Sequence, residues 1–118
     1  MKHETLADFS TNEIEVAIRD NNLIKLRLIS ISISLFSADL IRAEQICLTL
    51  STHADPTVRG NAILGFGHLA RRFGKLPQER ILAVIENALM DENSFVRGQA
   101  DAAADDVEFF LEWKVARE

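Results

Sequence analysis

The sequence predicts an all-α protein, built as a short right-handed α-solenoid of about three αα-hairpins in one domain over residues 1–118. Three observations indicate this fold class: an internal repeat at an offset of 38 residues, apolar residues at helical spacing in both copies, and helix-start and helix-stop residues between them. Repeats of roughly 40 residues are typical of stacked helical hairpins, which bury a core only against their neighbours.

The repeat is clearest in two short segments. Residues 55–62 read Asp-Pro-Thr-Val-Arg-Gly-Asn-Ala and residues 93–100 read Asn-Ser-Phe-Val-Arg-Gly-Gln-Ala, so they share Val-Arg-Gly-x-Ala. Apolar residues continue in the same register, at Val58, Ala62, Phe66, Leu69 and Phe73, and again at Val96, Ala100, Ala104, Val107 and Leu111. Each set lies on one face of a helix, which predicts two equivalent, stacked helices.

The first predicted hairpin covers about residues 10–36. Ser10 followed by Glu13 is a capping-box pattern, which predicts a helix over about 11–20. Two asparagines form the turn, and a second helix is predicted over 23–36.

That second helix has an alternative interpretation. Residues 29–35 alternate Ile and Ser, a pattern typical of a strand. We favour the helix, because a lone strand has no visible partner in this chain and a helical stripe also fits, at Leu26, Ile29, Ile33 and Phe36.

Two further hairpins are predicted at 38–73 and 78–112, and the residues between their helices support these boundaries. Asp55 followed by Pro56 is typical of a helix start, with Asp as N-cap and Pro at the first helical position. Gly74 is typical of a helix end, where a left-handed residue is needed.

The pattern Asp-Pro-x-Val-Arg-x-x-Ala at residues 55–62 resembles the HEAT-type helical repeat superfamily. The second copy departs from it, with Asn93 in place of Asp and no Pro. The resemblance implies that the repeat arginines, Arg59 and Arg97, bind the turn or an acidic neighbour in an adjacent repeat. The helical glycines Gly60, Gly65, Gly67 and Gly98 indicate either close helix–helix approach or a partner backbone that comes near.

Composition and charge limit the classes of partner that we expect the chain to bind. Hydrophobic residues make up 47%, charged residues 26%, and the formal net charge is −5, an ordinary globular profile on the acidic side. Nucleic acid and anionic membranes attract clustered Lys and Arg, so neither is expected as a ligand. The most apolar stretch, 23–35, is too short and too polar to span a bilayer, and the N-terminus lacks a signal-peptide pattern.

Little in the sequence indicates catalysis. Cys47 is the single cysteine and lies in an apolar run, so we expect a buried thiol and a cytoplasmic protein. The histidines are scattered, and no zinc, calcium or phosphate-loop spacing occurs, so we predict no metal, no cofactor and no enzyme. A Ser/His/Asp catalytic triad stays an open alternative, because its three residues need not be close together in the sequence.

The candidate partner-binding residues lie on the predicted second helices of the hairpins. His68 aligns with Asp106 one repeat later, on two lines that should lie side by side. Asp101, Asp105, Glu108 and Glu112 form an acidic stripe on the helix after Asn93, which we interpret either as a polar cap for the stack or as a docking strip for a basic protein. The predicted set is His68, Arg72, Asp101, Asp105, Asp106 and Glu108.

In size, charge and repeat type the chain also resembles HEAT-like immunity proteins of bacterial toxin systems. That resemblance implies a protein that binds and neutralises a cognate, basic toxin domain. The first alternative is a generic adaptor or a subunit of a helical assembly, which would dimerise through an apolar face within Leu23–Phe36. A lyase or DNA glycosylase ranks third, because the only basic cluster is Arg71, Arg72 and Lys75 and the sole Trp lies in the acidic segment.

Overall fold

The structure, a computed structural model, describes residues 8–117. Within this range the chain forms six α-helices and no strand: α1 (Thr11–Asp20), α2 (Leu23–Phe36), α3 (Leu40–Leu50), α4 (Pro56–Phe73), α5 (Gln78–Ala88) and α6 (Ser94–Leu111). The all-helical fold class predicted from the repeat is confirmed. Helix α3 begins slightly later than the predicted residue 38, because the Asp39 side chain accepts a hydrogen bond from the backbone N–H of Arg42 and caps the helix there.

The alternating segment 29–35 lies within α2, so the helical prediction is confirmed and the strand alternative is wrong. Two of its serines satisfy their hydroxyls inside the helix, because Ser30 donates to the carbonyl of Arg27 and Ser34 to that of Ile31. Ile29 and Ile33 are fully buried. These two serines therefore add small, internally bonded side chains to a helix that is covered on most sides, whereas the buried Ser32 hydroxyl has no hydrogen-bond partner among the described residues.

The predicted helix boundaries have the expected caps. Ser10 and Glu13 form both hydrogen bonds of the capping box. Asp55 accepts from the N–H of Val58, with Pro56 at the first helical position, and Gly74 ends α4 at φ 70°, in the left-handed region. These local signals are independent of packing, which is why the sequence alone places them.

Helix α4 lies at the centre of the fold. It packs against α2 on one side and α6 on the other, and also contacts α3 and α5. Positions 38 residues apart meet across these contacts, since Gln99 Nε2 donates to Asn61 Oδ1 at 2.8 Å and Arg72 Nη1 donates to the Ser34 carbonyl at 2.8 Å. The offset found in the sequence is therefore the packing register of α2, α4 and α6, and the predicted side-by-side lines on α4 and α6 are confirmed.

Small residues allow this close packing of α4. A Cβ placed on Gly65 would lie 2.9 Å from Cys47 Sγ, and one on Gly67 would lie 3.2 Å from the backbone Cα of Ala103. Gly60 is similarly crowded by the ring of Phe95, so close helix approach is confirmed for all three. A Cβ placed on Gly98 would have no neighbouring atom within 4 Å, so packing does not explain the glycine at this position.

The repeat arginines join successive turns. Arg59 holds Asp91 with two hydrogen bonds of 2.9 Å and also donates to the carbonyls of His53 and Ala54. Arg27 holds Asp55 in the same two-bond manner, at 3.1 and 2.8 Å. Hydrogen bonds from Arg27 lower the pKa of the Asp55 carboxyl to about 2. Arg97 donates to the Asp91 carbonyl at 2.7 Å, so the structural role implied for Arg59 and Arg97 is confirmed.

Candidate partner-binding surface

The six residues predicted to bind a partner fall into two groups. Asp101, Asp105 and Glu108 lie on α6 beneath the segment that follows it. His68, Arg72 and Asp106 lie along the contact between α2, α4 and α6. The structure thus brings members of each group together but does not join all six into one patch.

The acidic stripe has a partner within the chain. Arg117 donates from Nη1 to Asp101 at 2.7 Å and from Nη2 to Asp105 at 2.8 Å, and also contacts Glu108. The pKa of Arg117 is raised, first by its hydrogen bond to Asp105. Because one guanidinium faces three carboxylates, the stripe keeps an excess of negative charge. Asp101 and Asp105 stay 61% and 68% exposed, which leaves them open to a second cation.

The backbone after α6 explains how Arg117 reaches the stripe. Glu112 adopts a left-handed conformation at φ 59°, which ends α6 and turns the chain back. The prediction that Glu112 continues the helical stripe is therefore wrong, and the stripe consists of Asp101, Asp105 and Glu108. Val115 is then buried, and the N–H of Ala116 donates to Glu86 of α5 at 2.8 Å. The sequence analysis did not identify Arg117 as a partner of the stripe. The chain turns back at a single left-handed residue, Glu112, and no periodic pattern marks such a turn.

His68 sits between α2 and α6, half-buried, with Nδ1 3.1 Å from Ser34 Oγ. Burial lowers its pKa most, the positive charge of Arg71 lowers it further, and the carboxylate of Asp106 acts in the opposite direction. His68 is therefore held in its neutral form. The Ser34 hydroxyl thus bridges the Ile31 carbonyl of its own helix and the His68 ring of α4.

Arg72 binds the C-terminal end of α2. Its guanidinium donates to the carbonyls of Ser34 at 2.8 Å and Ser37 at 2.6 Å, where α2 ends. A cation at a helix C-terminus satisfies free carbonyls and opposes the negative end of the helix dipole. The predicted binding residue Arg72 thus has a structural task, and any partner would reach only its exposed edge.

Ser34, His68 and Asp106 are the types of residue found in a catalytic triad, but their geometry does not suit nucleophilic catalysis. Ser34 is fully buried, so no substrate carbonyl can approach its hydroxyl. Its proton is donated to the Ile31 carbonyl at 3.1 Å. The cluster instead fixes the register of α2 against α4.

An aromatic pair lies exposed near the end of α6. Phe109 and Phe110 meet edge to face with ring centroids 4.8 Å apart, and Phe109 is 78% exposed. Sequence reasoning placed Phe110 on the α6 line but passed over Phe109, which breaks the apolar spacing of the helix.

Helix α2, the predicted dimerisation face, offers little apolar surface for that purpose, since its largest exposed side chains are Ile24 and Phe36 at opposite ends.

Between residues 8 and 117, no group of three or more His, Cys, Asp or Glu side chains is placed to hold a metal ion. No helix in that range has the length and apolar character needed to cross a membrane.

Comparisons with known proteins give one structural likeness. No protein-family model matches the chain, and no curated protein sequence matches it. A chain in the crystal structure of a CDI complex from Cupriavidus taiwanensis LMG 19424 has a similar fold, with a TM-score of 0.75. The two are 21% identical, over 93% of this chain and 97% of that one. At this identity, the likeness establishes a shared fold.

Proposed function

We propose that this chain is a non-catalytic immunity protein that binds and neutralises a cognate, basic toxin domain. The observation that carries the proposal is the likeness to a chain of a CDI complex along nearly the whole length of both chains. CDI denotes contact-dependent inhibition, in which a toxin is paired with an immunity protein. We propose the cytoplasm as the place of action, because the single thiol, Cys47, suits a reducing compartment.

We further propose that the fold is a short right-handed α-solenoid of three HEAT-type hairpins. The paired bonds of Arg27 to Asp55 and of Arg59 to Asp91 support this, because each joins a second helix to the turn of the following hairpin. The 38-residue register between α4 and α6 supports it as well.

The charge distribution supports a basic partner. The chain carries a net charge of −5, and the stripe of Asp101, Asp105 and Glu108 keeps excess negative charge beside Arg117. Exposed charge of one sign steers an oppositely charged protein during encounter and raises the association rate. A nucleic acid or an anionic membrane would be repelled by the same field.

The first experiment is affinity capture from the native host, with the purified chain as bait at low and high salt. The captured protein is then expressed alone and together with this chain in a sensitive host. We expect a single basic protein that arrests growth alone and is harmless when co-expressed. A captured protein without toxicity, or toxicity that co-expression leaves unchanged, would refute the immunity role.

The acidic stripe is tested by a matched pair of variants. One carries Asp101→Asn, Asp105→Asn and Glu108→Gln, and the other carries three neutralised exposed acids elsewhere, Glu15→Gln, Glu79→Gln and Glu92→Gln. Both lose the same net charge. We expect the stripe variant to reduce the association rate with the toxin more strongly than the control. Equal rates would mean that the stripe is a polar cap.

A self-assembling adaptor is the second candidate, and the exposed Phe109–Phe110 pair favours it. Sedimentation equilibrium of the wild type and of Phe109→Ser tests it. A mass that rises with concentration only in the wild type would favour assembly through this pair, whereas a monomer in both would remove the candidate.

A further inference from the structure

The outward side of α6 repeats a surface that α4 uses for packing. Gly98 follows Gly60 by the 38-residue offset, and both are the glycine of Val-Arg-Gly-x-Ala. On α4 this position is covered by α6, because a Cβ placed on Gly60 would lie 2.8 Å from the Phe95 ring and 3.3 Å from Gln99 Cγ. On α6 a Cβ placed on Gly98 would meet no atom within 4 Å in the part of the chain that the structure describes. The position that receives an aromatic ring on α4 is therefore left open on α6.

Nothing within the described chain requires glycine at residue 98. The residue lies inside α6 and lacks the left-handed backbone that favours glycine. Glycine also lowers the stability of a helix interior relative to alanine, since it loses more backbone freedom on folding. At Gly60 the close approach of Phe95 accounts for the glycine. By the same register, Gly98 fits the close approach of a helix that another molecule supplies.

Asp105 sets the charge that this helix should carry. It follows Gly67 by the same offset of 38 residues. On α4 the side chain of Asp106 covers Gly67, because a Cβ placed there would lie 2.5 Å from Asp106 Oδ2. On α6 the corresponding position is the Asp105 carboxylate, 68% exposed, so a cation suits the residue that lies over it. Phe95 and Asp106 are eleven residues apart, so the covering helix should carry an aromatic residue and, eleven positions later, Lys or Arg.

Other groups around Gly98 suit the same ligand. Gly98, Asp101 and Asp105 follow the spacing i, i+3, i+7, which places them on one side of α6, here called the open face. Arg117 pairs with both carboxylates, so they accept a guanidinium, and Asp101 nevertheless stays 61% exposed. Phe109, four residues after Asp105, is 78% exposed and extends the open face with apolar surface.

We propose that the open face of α6 receives one helix of the basic partner protein, with an aromatic ring against Gly98 and a Lys or Arg paired with Asp105. This inference rests on the proposed function and deepens it, since it assigns the acidic stripe a defined ligand: a helix with these two residues eleven positions apart. A second copy is disfavoured as the occupant, because its α6 would place Asp106 against Asp105, and two chains of net charge −5 would repel each other.

Gly98→Ala should act in opposite directions on folding and on binding. In the free chain the added methyl group meets open space, so urea unfolding should show at least wild-type stability. In the complex it would meet the partner's aromatic ring, so affinity for the captured partner should fall about 5- to 100-fold. The control is Ala83→Val, which adds bulk at an exposed position of α5 and should bind as the wild type does. Wild-type affinity of Gly98→Ala would overturn the proposal.

A designed peptide tests the open face without the captured partner. It is an acetylated and amidated helix of about 18 residues, built from Ala and Gln, with one Phe and, eleven positions later, one Lys. A second peptide has Glu in place of Lys. Amide chemical shifts are followed by NMR in the wild type and in Gly98→Ala, and the shifts should be confined to α6 and the segment after it. Affinity should fall about fivefold or more for the Glu peptide and for Gly98→Ala. Absence of shifts on α6, or equal affinity of the two peptides, would overturn the proposal.

The helix site and the immunity role can fail separately. A captured partner that is not toxic, but that Gly98→Ala binds less well than the wild type does, would refute only the immunity role. A toxic partner that binds both forms equally would overturn the helix site and leave the immunity role intact. Sedimentation equilibrium adds the third outcome, because a wild-type dimer that Gly98→Ala dissociates would mean that a second copy fills the open face, which also overturns the proposal.

Discussion

Replacing Arg59 by Met should destabilise the fold far more than the same change at Arg27. The two arginines occupy equivalent positions and each holds an Asp with two hydrogen bonds. They differ in burial, because the Arg59 side chain is 16% exposed and that of Arg27 is 44% exposed. Arg59 also donates to two backbone carbonyls, at 2.9 and 3.1 Å. Met keeps the length and apolar contacts of the side chain and removes its charge and donors.

The expected loss of stability follows from the groups that lose their partner when Arg59 is replaced. Its loss strands the Asp91 carboxylate, itself only 16% exposed, together with the carbonyls of His53 and Ala54. Breaking a fully buried pair costs about 3–5 kcal/mol, and partial solvent access reduces this, so we expect a loss of about 2–3 kcal/mol. Replacing Arg27 also strands an acid, Asp55, which is 14% exposed, but it leaves no backbone carbonyl without its donor. Because the Arg27 guanidinium itself faces water, the loss should be smaller than at Arg59 and should diminish further with salt.

Urea unfolding, followed by the helical circular dichroism signal, measures both variants. With a slope of about 1–2 kcal/mol per molar urea, Arg59→Met should move the midpoint by roughly 1–3 M. The double variant with Asp91→Asn should be less destabilised than the sum of the single changes, because the stranded charge is gone. Equal midpoints for Arg59→Met and Arg27→Met would refute the reasoning that burial decides the strength of these pairs.

Four other substitutions test contacts elsewhere in the fold. Gly65→Ala should lose about 1–3 kcal/mol of stability, because its Cβ would lie 2.9 Å from the buried Cys47 Sγ. Gly98→Ala, which meets nothing within 4 Å, should gain about 0.5–1 kcal/mol, and paired urea titrations should give opposite signs. The pKa of His68 is lowered in the folded protein, so the unfolded chain takes up this proton first as pH falls below about 6.5. Wild-type stability should therefore decline there relative to His68→Gln, and parallel curves would contradict this. Arg117→Gln should lower the melting temperature at low salt and much less at high salt, because salt screens the repulsion among the stripe carboxylates; a loss independent of salt would argue against this electrostatic role.

The sequence predicted the helices and their repeat well, because the signals for both are local. Ser10 with Glu13, Asp55 with Pro56, and Gly74 satisfy backbone groups within a few residues, so their effect does not depend on what packs against them. The 38-residue offset could be found because equivalent helices must present the same apolar face to the same neighbours. Segment 29–35 was ambiguous because Ile and Ser at period two leave both patterns open, and tertiary burial of α2 resolved it.

The candidate surface was predicted only in part. His68 and Asp106 were correctly placed near each other, because helix register follows from the repeat. No sequence pattern indicated that Arg117 pairs with the acidic stripe, since one left-handed residue, Glu112, turns the chain back.

Helix caps and the spacing of apolar side chains depend on residues close together in the sequence, so the helices, their ends and their register could be predicted from the sequence alone. Which charges are paired and which are left alone was decided by the tertiary structure, because it depends on distances between residues far apart in sequence. Arg59 finds Asp91, and Arg117 finds Asp101, only once the helices are packed.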